Sequence, residues 1–192
     1  MQYILFLRGV NVGGKNKVSM SALKEALFLA GFENLDSYIN SGNLLFSSAE
    51  SRETCISKIR KVLDRNYDFS IPFALLTKEE YLEEQAALPD WWEEELARRD
   101  VWFFSCGMNK SDILHFIEKS TFYNEKVYVG KQAVFWGKID EAEYLKTTYH
   151  KKLMKQDFYK QITIRNGNTF DKIAEILRRK FCVRKSFLLL FI

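Results

Sequence analysis

The apolar positions fall in a regular order. Tyr3 to Leu7 is a short apolar run that reads as a strand, and Met20, Leu23, Leu27 and Ala30 then recur at helical spacing. Ser19 stands at the N-cap position of that helix and Gly31 where a C-terminal glycine belongs. Leu35–Ile39 and Leu44–Phe46 read as two strands joined through Asn40-Ser41-Gly42-Asn43, a hairpin signal. Cys55, Ile56, Ile59, Val62 and Leu63 mark a second helix, and Ser70–Leu76 a fourth strand whose Pro72 suits a sheet edge. The order strand, helix, strand, strand, helix, strand is that of a ferredoxin-like unit.

The second half repeats the order without a residue-level repeat. Thr77-x-x-Glu80 is a capping box opening a linker helix with Tyr81, Leu82 and Leu88, which Pro89 ends. An acidic segment with Trp91 and Trp92 follows. Then come a strand at Val101–Phe104, a helix marked by Ile113, Leu114, Phe116 and Ile117, a hairpin turning at Gly130-Lys131, a helix from about Asp140 and a strand at Ile162–Ile164. Asn168 is a candidate cap, with Asp171 at the third position, for a last helix striped by Phe170, Ile173, Ala174, Leu177 and Phe181. The expectation is an α+β protein of two ferredoxin-like (βαββαβ) subdomains packed together, with an extra C-terminal helix. Residues 1–77 form the first, 78–100 the linker, 101–181 the second with its helix, and 182–192 an apolar tail, either an added strand, a self-association edge or a loose end.

Composition narrows the class. With 192 residues, 47% hydrophobic and only 2 prolines, the chain has material for a sizeable core and little for linkers. Its 3 cysteines lack any C-x-x-C pair, which argues against a disulfide framework or zinc cage, and no apolar stretch reaches membrane-spanning length. The start lacks a signal-peptide pattern, so a cytoplasmic location is expected. A net charge of +4 is unevenly spread, acidic over residues 79–100 and basic over 146–185, a distribution suited to steering an acidic ligand or to ordinary solvated helix faces.

Candidate chemistry begins at Arg8-Gly9-Val10-Asn11-Val12-Gly13-Gly14-Lys15-Asn16-Lys17. Glycines free the backbone to turn N–H groups toward a ligand while Arg8, Lys15 and Lys17 bring positive charge, so an anion such as phosphate fits. Gly9-x-x-x-x-Gly14-Lys15 has the spacing of a phosphate-binding NTPase loop, but Asn16 replaces the magnesium-holding Ser or Thr and the helix starts late, at Ser19. A different anion loop or a structural turn remain as readings. A second constellation, Ile162-Thr163-Ile164-Arg165-Asn166-Gly167-Asn168-Thr169, puts an arginine and asparagines at a strand end before a helix N-terminus. There Asn168 and Arg165 serve either an anion or only a helix cap and a surface carboxylate. His115 and His150 stand apart from both motifs, no general base is evident, and neither metal-ligand spacing nor a cofactor motif occurs.

These motifs, with Tyr38-Ile39-Asn40-Ser41-Gly42-Asn43 between them, resemble the bacterial proteins grouped as domain of unknown function 1697. The resemblance runs to about Arg179 and implies a cytosolic fold of ferredoxin-like parts, with no established reaction. Two places depart from the family pattern: Gly167 stands where a tryptophan is usual, and Thr147–Leu153 where a serine- and lysine-rich stretch is usual. Topology places the loop after the first strand and the hairpin after the second at one end of a sheet, so Arg8, Asn11 and Asn43 are expected to line one concavity. The expected ligand residues are Arg8, Asn11, Gly13, Gly14, Lys15, Asn43, Arg165, Asn166 and Asn168, for a phosphate-bearing small molecule or nucleotide. The alternatives are RNA or single-stranded DNA on an open sheet face, and a protein-interaction module using Trp91, Trp92 and the tail.

Overall fold

A computed structural model describes residues 1–188, with side chains through Arg179. The first half comprises β1 (Gln2–Leu7), α1 (Met20–Leu29), β2 (Glu33–Ser37), β3 (Asn43–Ser47), α2 (Arg52–Asn66) and β4 (Phe73–Thr77), with α3 (Lys78–Ala86) following. The second comprises β5 (Arg98–Phe104), α4 (Lys110–Lys119), β6 (Glu125–Val129), β7 (Ala133–Lys138), a short α5 (Thr148–Lys151), β8 (Ile162–Asn166) and α6 (Gly167–Leu188). Each half makes a four-stranded antiparallel sheet, ordered β2-β3-β1-β4 and β6-β7-β5-β8. Both expected ferredoxin-like units are therefore present. The predicted capping chemistry holds too: Ser19 accepts from Ala22 N at 3.3 Å, and Thr77 and Glu80 form a reciprocal capping box. Pro72 lies just ahead of the edge strand β4, where it is asked for no ladder donor.

The alternation of side chains along the central strands decides the layering. On β1, Tyr3, Leu5 and Leu7 point into a core with α1 and α2, whereas Ile4 and Phe6 point the other way. On β5, Trp102 and Phe104 join α4 in an outer core, and Val101 and Phe103 point inward. The two inward faces meet in a shared core with Tyr81 of α3, Trp92, and Phe170, Ile173, Ala174 and Leu177 of α6. Phe6 stacks directly on Phe103 at 4.3 Å, a contact worth about 0.5–1.5 kcal/mol beyond its buried area.

That packing corrects two expectations. The face that a lone ferredoxin-like unit leaves open is covered in both halves, so neither sheet offers a free aromatic face for single-stranded nucleic acid. Trp92 is fully buried and donates its indole N–H to Asp171 at 3.1 Å, and Trp91 is half-buried and packs near Gly137, so core packing explains these tryptophans.

Two local readings also change. In place of a helix from Asp140, the chain makes a 3-10 turn at Glu141–Lys146, then α5, then two further 3-10 turns. Thr147 breaks the helix, its hydroxyl donating to Tyr144 O at 2.7 Å and accepting from His150 N at 3.2 Å. The Glu125 carboxylate accepts the next two N–H groups, at 2.7 and 3.2 Å, and pins that restart to the sheet. The last helix is capped by Asn166, which accepts from Thr169 N at 2.8 Å, and not by Asn168, because helical backbone already begins at Gly167. α6 continues to Leu188, and the last residues of the expected tail, 189–192, lie outside the described residues. No helix among the described residues is long and apolar enough to cross a membrane.

Candidate functional site

The three sequence motifs converge, and the residue that joins them is Arg165. Its position on β8 points the side chain inward, where only 8% of the residue is exposed. The guanidinium donates through Nε to Asn43 Oδ1 and through Nη2 to Leu7 O at 2.8 Å, Ser41 O at 2.9 Å and Gly42 O at 3.2 Å. Nη1 donates to Ile164 O at 2.8 Å, and the group lies 5.3 Å from the Phe6 ring centroid. No carboxylate is among these partners. Carbonyl and amide oxygens solvate the charge instead, and burial, with the Arg8 charge adding to it, pushes the guanidinium down to about 10. It stays cationic at neutral pH.

Asn43 is wholly buried and completes the clasp, its amide donating to Tyr38 O at 3.0 Å and Ser41 Oγ at 2.9 Å. Gly42 is required here on two counts. Its φ is +77°, and a Cβ would stand 2.8 Å from both Leu7 Cβ and Val10 Cγ2. Asn11 ties the glycine loop to the hairpin loop, donating to Asn40 O at 2.8 Å and Val18 O at 2.9 Å while accepting from Val18 N at 2.8 Å. Arg8 reaches the other half, donating to Ile162 O, with Tyr159 under its guanidinium at 4.7 Å. Partial burial lowers its pKa.

The loop above this clasp is a miniature hairpin. Asn11 N donates to Asn16 O at 3.0 Å, Lys15 N to Val12 O at 3.1 Å, and Asn16 Nδ2 to Gly9 O at 3.1 Å. Gly13 and Gly14 take φ of +59° and +75°, the pair of left-handed residues a tight I′ turn demands. Their N–H groups enter none of the described hydrogen bonds, and Gly13, Gly14, Lys15 and Lys17 are all exposed. Lys15 and Lys17 form no ion pair among the described residues. Ile39, a β-branched residue in left-handed backbone at φ +50°, stands exposed in the neighbouring loop, a conformation costing about 1–3 kcal/mol.

The nine expected ligand residues thus separate into three groups. Arg165, Asn43 and Asn11 hold the loops from within, and Arg8 braces them against β8. Gly13, Gly14 and Lys15 form the exposed rim. Asn166 and Asn168 belong to the start of α6, where Asn168 faces Arg99 Nη2 at 3.5 Å, and no described bond links them to either loop. Sequence reasoning did not find Tyr159, the aromatic partner of Arg8, because it lies in an irregular stretch with no periodic signal. It also did not foresee what occupies the space beside Gly167: a Cβ there would meet Arg99 Cβ at 2.8 Å and Trp92 Cζ2 at 3.2 Å.

The family profile described as "Protein of unknown function (DUF1697)" matches residues 1–135, well over half of the chain. The chain belongs to the DUF1697 family. Among solved structures, the conserved bacterial protein SP0830 from Streptococcus pneumoniae is 43% identical to this DUF1697 protein, covers 92% of this chain and 98% of its own, and superposes with a TM-score of 0.88. No curated protein matches the chain. The likeness of this DUF1697 member to SP0830 extends past the profile match, so it includes most of the second half, where Arg165 lies.

Proposed function

We propose that this DUF1697 protein binds a phosphate-bearing small molecule at the loop Arg8–Lys17. The observation that carries it is the pair of exposed, unengaged N–H groups at Gly13 and Gly14, held in left-handed backbone beside Lys15 and Lys17. Amides converging from such a turn bind an anion by charge-assisted hydrogen bonds, and the lysines add Coulomb attraction. In this reading Arg165, Asn43 and Asn11 keep the turn rigid so that little entropy is lost on binding, and they do not touch the ligand. Exposed Val12 and Ile39 offer apolar contact to the rest of the molecule. The role assigned is binding, since neither histidine lies in or beside this loop and no nucleophile is poised there.

Backbone amide NMR of the labelled full chain, titrated with inorganic phosphate, sulfate and common nucleotides, tests this. Saturable shifts at Gly13 and Gly14, lost in Lys15→Ala, are expected. Flat Gly13 and Gly14 signals throughout the panel, or the same shifts in Lys15→Ala, sink the proposal.

A further inference from the structure

The second half carries another concentration of positive charge, in a different place and of different construction. Between α4 and the turns that replace the expected helix lies a cleft of about 360 Å³, within the usual range for small-ligand pockets. Lys119, Lys151, Lys152 and Lys155 line it, together with His115 and Phe116, and no Asp or Glu does. None of the four lysines takes part in an ion pair among the described residues, although ten such pairs occur elsewhere.

Its walls are fixed by the fold. Lys151 N and Lys152 N donate to Thr147 O and Thr148 O at 2.9 Å each, and Lys155 N to Lys152 O at 3.2 Å, so three lysines are set on consecutive tight turns. Leu153, fully buried, anchors that segment to the outer core, and Phe116, in the cleft lining, packs edge-on against Phe158 at 5.7 Å. A cation suits the last turn of a helix, where Lys119 stands on α4 and Lys151 on α5, but that preference does not require the lysines to share one cleft. Lys119, Lys151, Lys152 and Lys155 repel one another, and a concave wall focuses their field into the cleft.

We infer that this cleft binds a compact oligophosphate, a ligand with several phosphates in a row. Four ammonium groups without counter-charges complement a triphosphate group, whose charge is of matching size and opposite sign. Free inorganic tripolyphosphate and the triphosphate of a nucleotide share this chemistry, and Phe116 is the group that can tell them apart by contact with a base.

Isothermal titration of the full chain with sodium tripolyphosphate, ATP and adenosine at low salt tests it, using Lys151→Ala/Lys155→Ala and, separately, Lys15→Ala. Both variants alter exposed side chains, and unchanged melting and circular dichroism are checked first. Tripolyphosphate is expected to occupy a site that survives in Lys15→Ala, where the proposed glycine-loop site is disabled, that is about tenfold weaker in the cleft variant, and that weakens as salt rises. ATP equal to tripolyphosphate means the phosphates alone are recognised, and tighter ATP binding adds the base; both support the cleft. Affinity within twofold of the parent in the cleft variant overturns the inference, as does loss only in Lys15→Ala, which moves binding to the glycine loop. Binding of a short single-stranded RNA, with none of tripolyphosphate, also overturns it in favour of a nucleic-acid backbone.

Discussion

Replacing Arg165 with methionine tests whether this side chain is the clasp between the motifs. Met preserves much of the apolar stem against Phe6 and removes the guanidinium. Four hydrogen bonds to the first half are lost, to Asn43 Oδ1, Leu7 O, Ser41 O and Gly42 O. Nη2 has two hydrogens for its three acceptors, so three N–H groups count; bonds to a charged group contribute about 1.5–3 kcal/mol each, roughly 4.5–9 kcal/mol together. Against this, burial already disfavours the cation: a guanidinium pushed down from 12.5 to about 10 corresponds to roughly 3 kcal/mol, which the variant recovers. The balance is a loss of at least about 1.5 kcal/mol. In a chain of this size each kcal/mol lowers Tm by about 2–4 °C, so a fall of about 3–6 °C or more is expected by calorimetry. Arg165→Lys keeps the charge but loses the planar fork, and is expected in between. Arg165→Met paired with Asn43→Ala in a double-mutant cycle should deviate from additivity by more than about 1 kcal/mol. If Arg165→Met melts within about 2 °C of the parent, or if the cycle is additive, Arg165 does not hold the loops together and the account given of it is wrong.

Other consequences are as direct. Gly167→Trp meets Arg99 and Trp92 and is expected to destabilise by about 1–3 kcal/mol; combined with Trp92→Ala, the two costs should sum to less than additive in urea melts, because the clash disappears with the Trp92 ring. Gly42→Ala combines left-handed backbone with contacts of 2.8 Å and should cost about 2–4 kcal/mol, whereas Gly14→Ala, with nothing within 4 Å of its Cβ, should cost only the backbone strain of about 1 kcal/mol. Glu84 is buried with Oε1 accepting from Gln132 N at 2.7 Å and Oε2 without a described partner, and burial raises its pKa. The folded state then holds this proton to higher pH than the unfolded chain, so Glu84 favours folding below about pH 4.5 and that contribution is lost as pH rises through its folded value. Glu84→Gln should therefore flatten the stability profile across this window and leave neutral-pH stability equal or higher; a variant whose profile parallels the parent's refutes it.

Much of this protein was legible residue by residue. Helix starts at Ser19 and Thr77, the turn at Gly130, the edge marked by Pro72 and the order of both units follow from interactions within a few residues, and such interactions leave a periodic or positional trace. Even the shared end of the glycine loop and the hairpin loop was predictable, because antiparallel pairing in a ferredoxin-like sheet leaves no other arrangement, and Asn11 bonding to Asn40 O realises it. The failures were local competitions: Asn166 reached the first free N–H before Asn168, and Thr147 with Glu125 outbid helical periodicity after Asp140.

What the tertiary structure decided is the use of each side chain. Arg165 and Asn43 are 122 residues apart, and nothing near either distinguishes an arginine that meets a ligand from one that is itself bound by carbonyl oxygens. Likewise the alternation of Ile4 and Phe6, or Val101 and Phe103, specifies a second apolar face but not what covers it. Docking the two halves through α3 and α6 settled both questions at once: it buried the faces on each other and placed the cation among backbone oxygens of the opposite half. Hydrophobic burial has no direction and records no partner in the sequence, so that choice exists only in the folded chain.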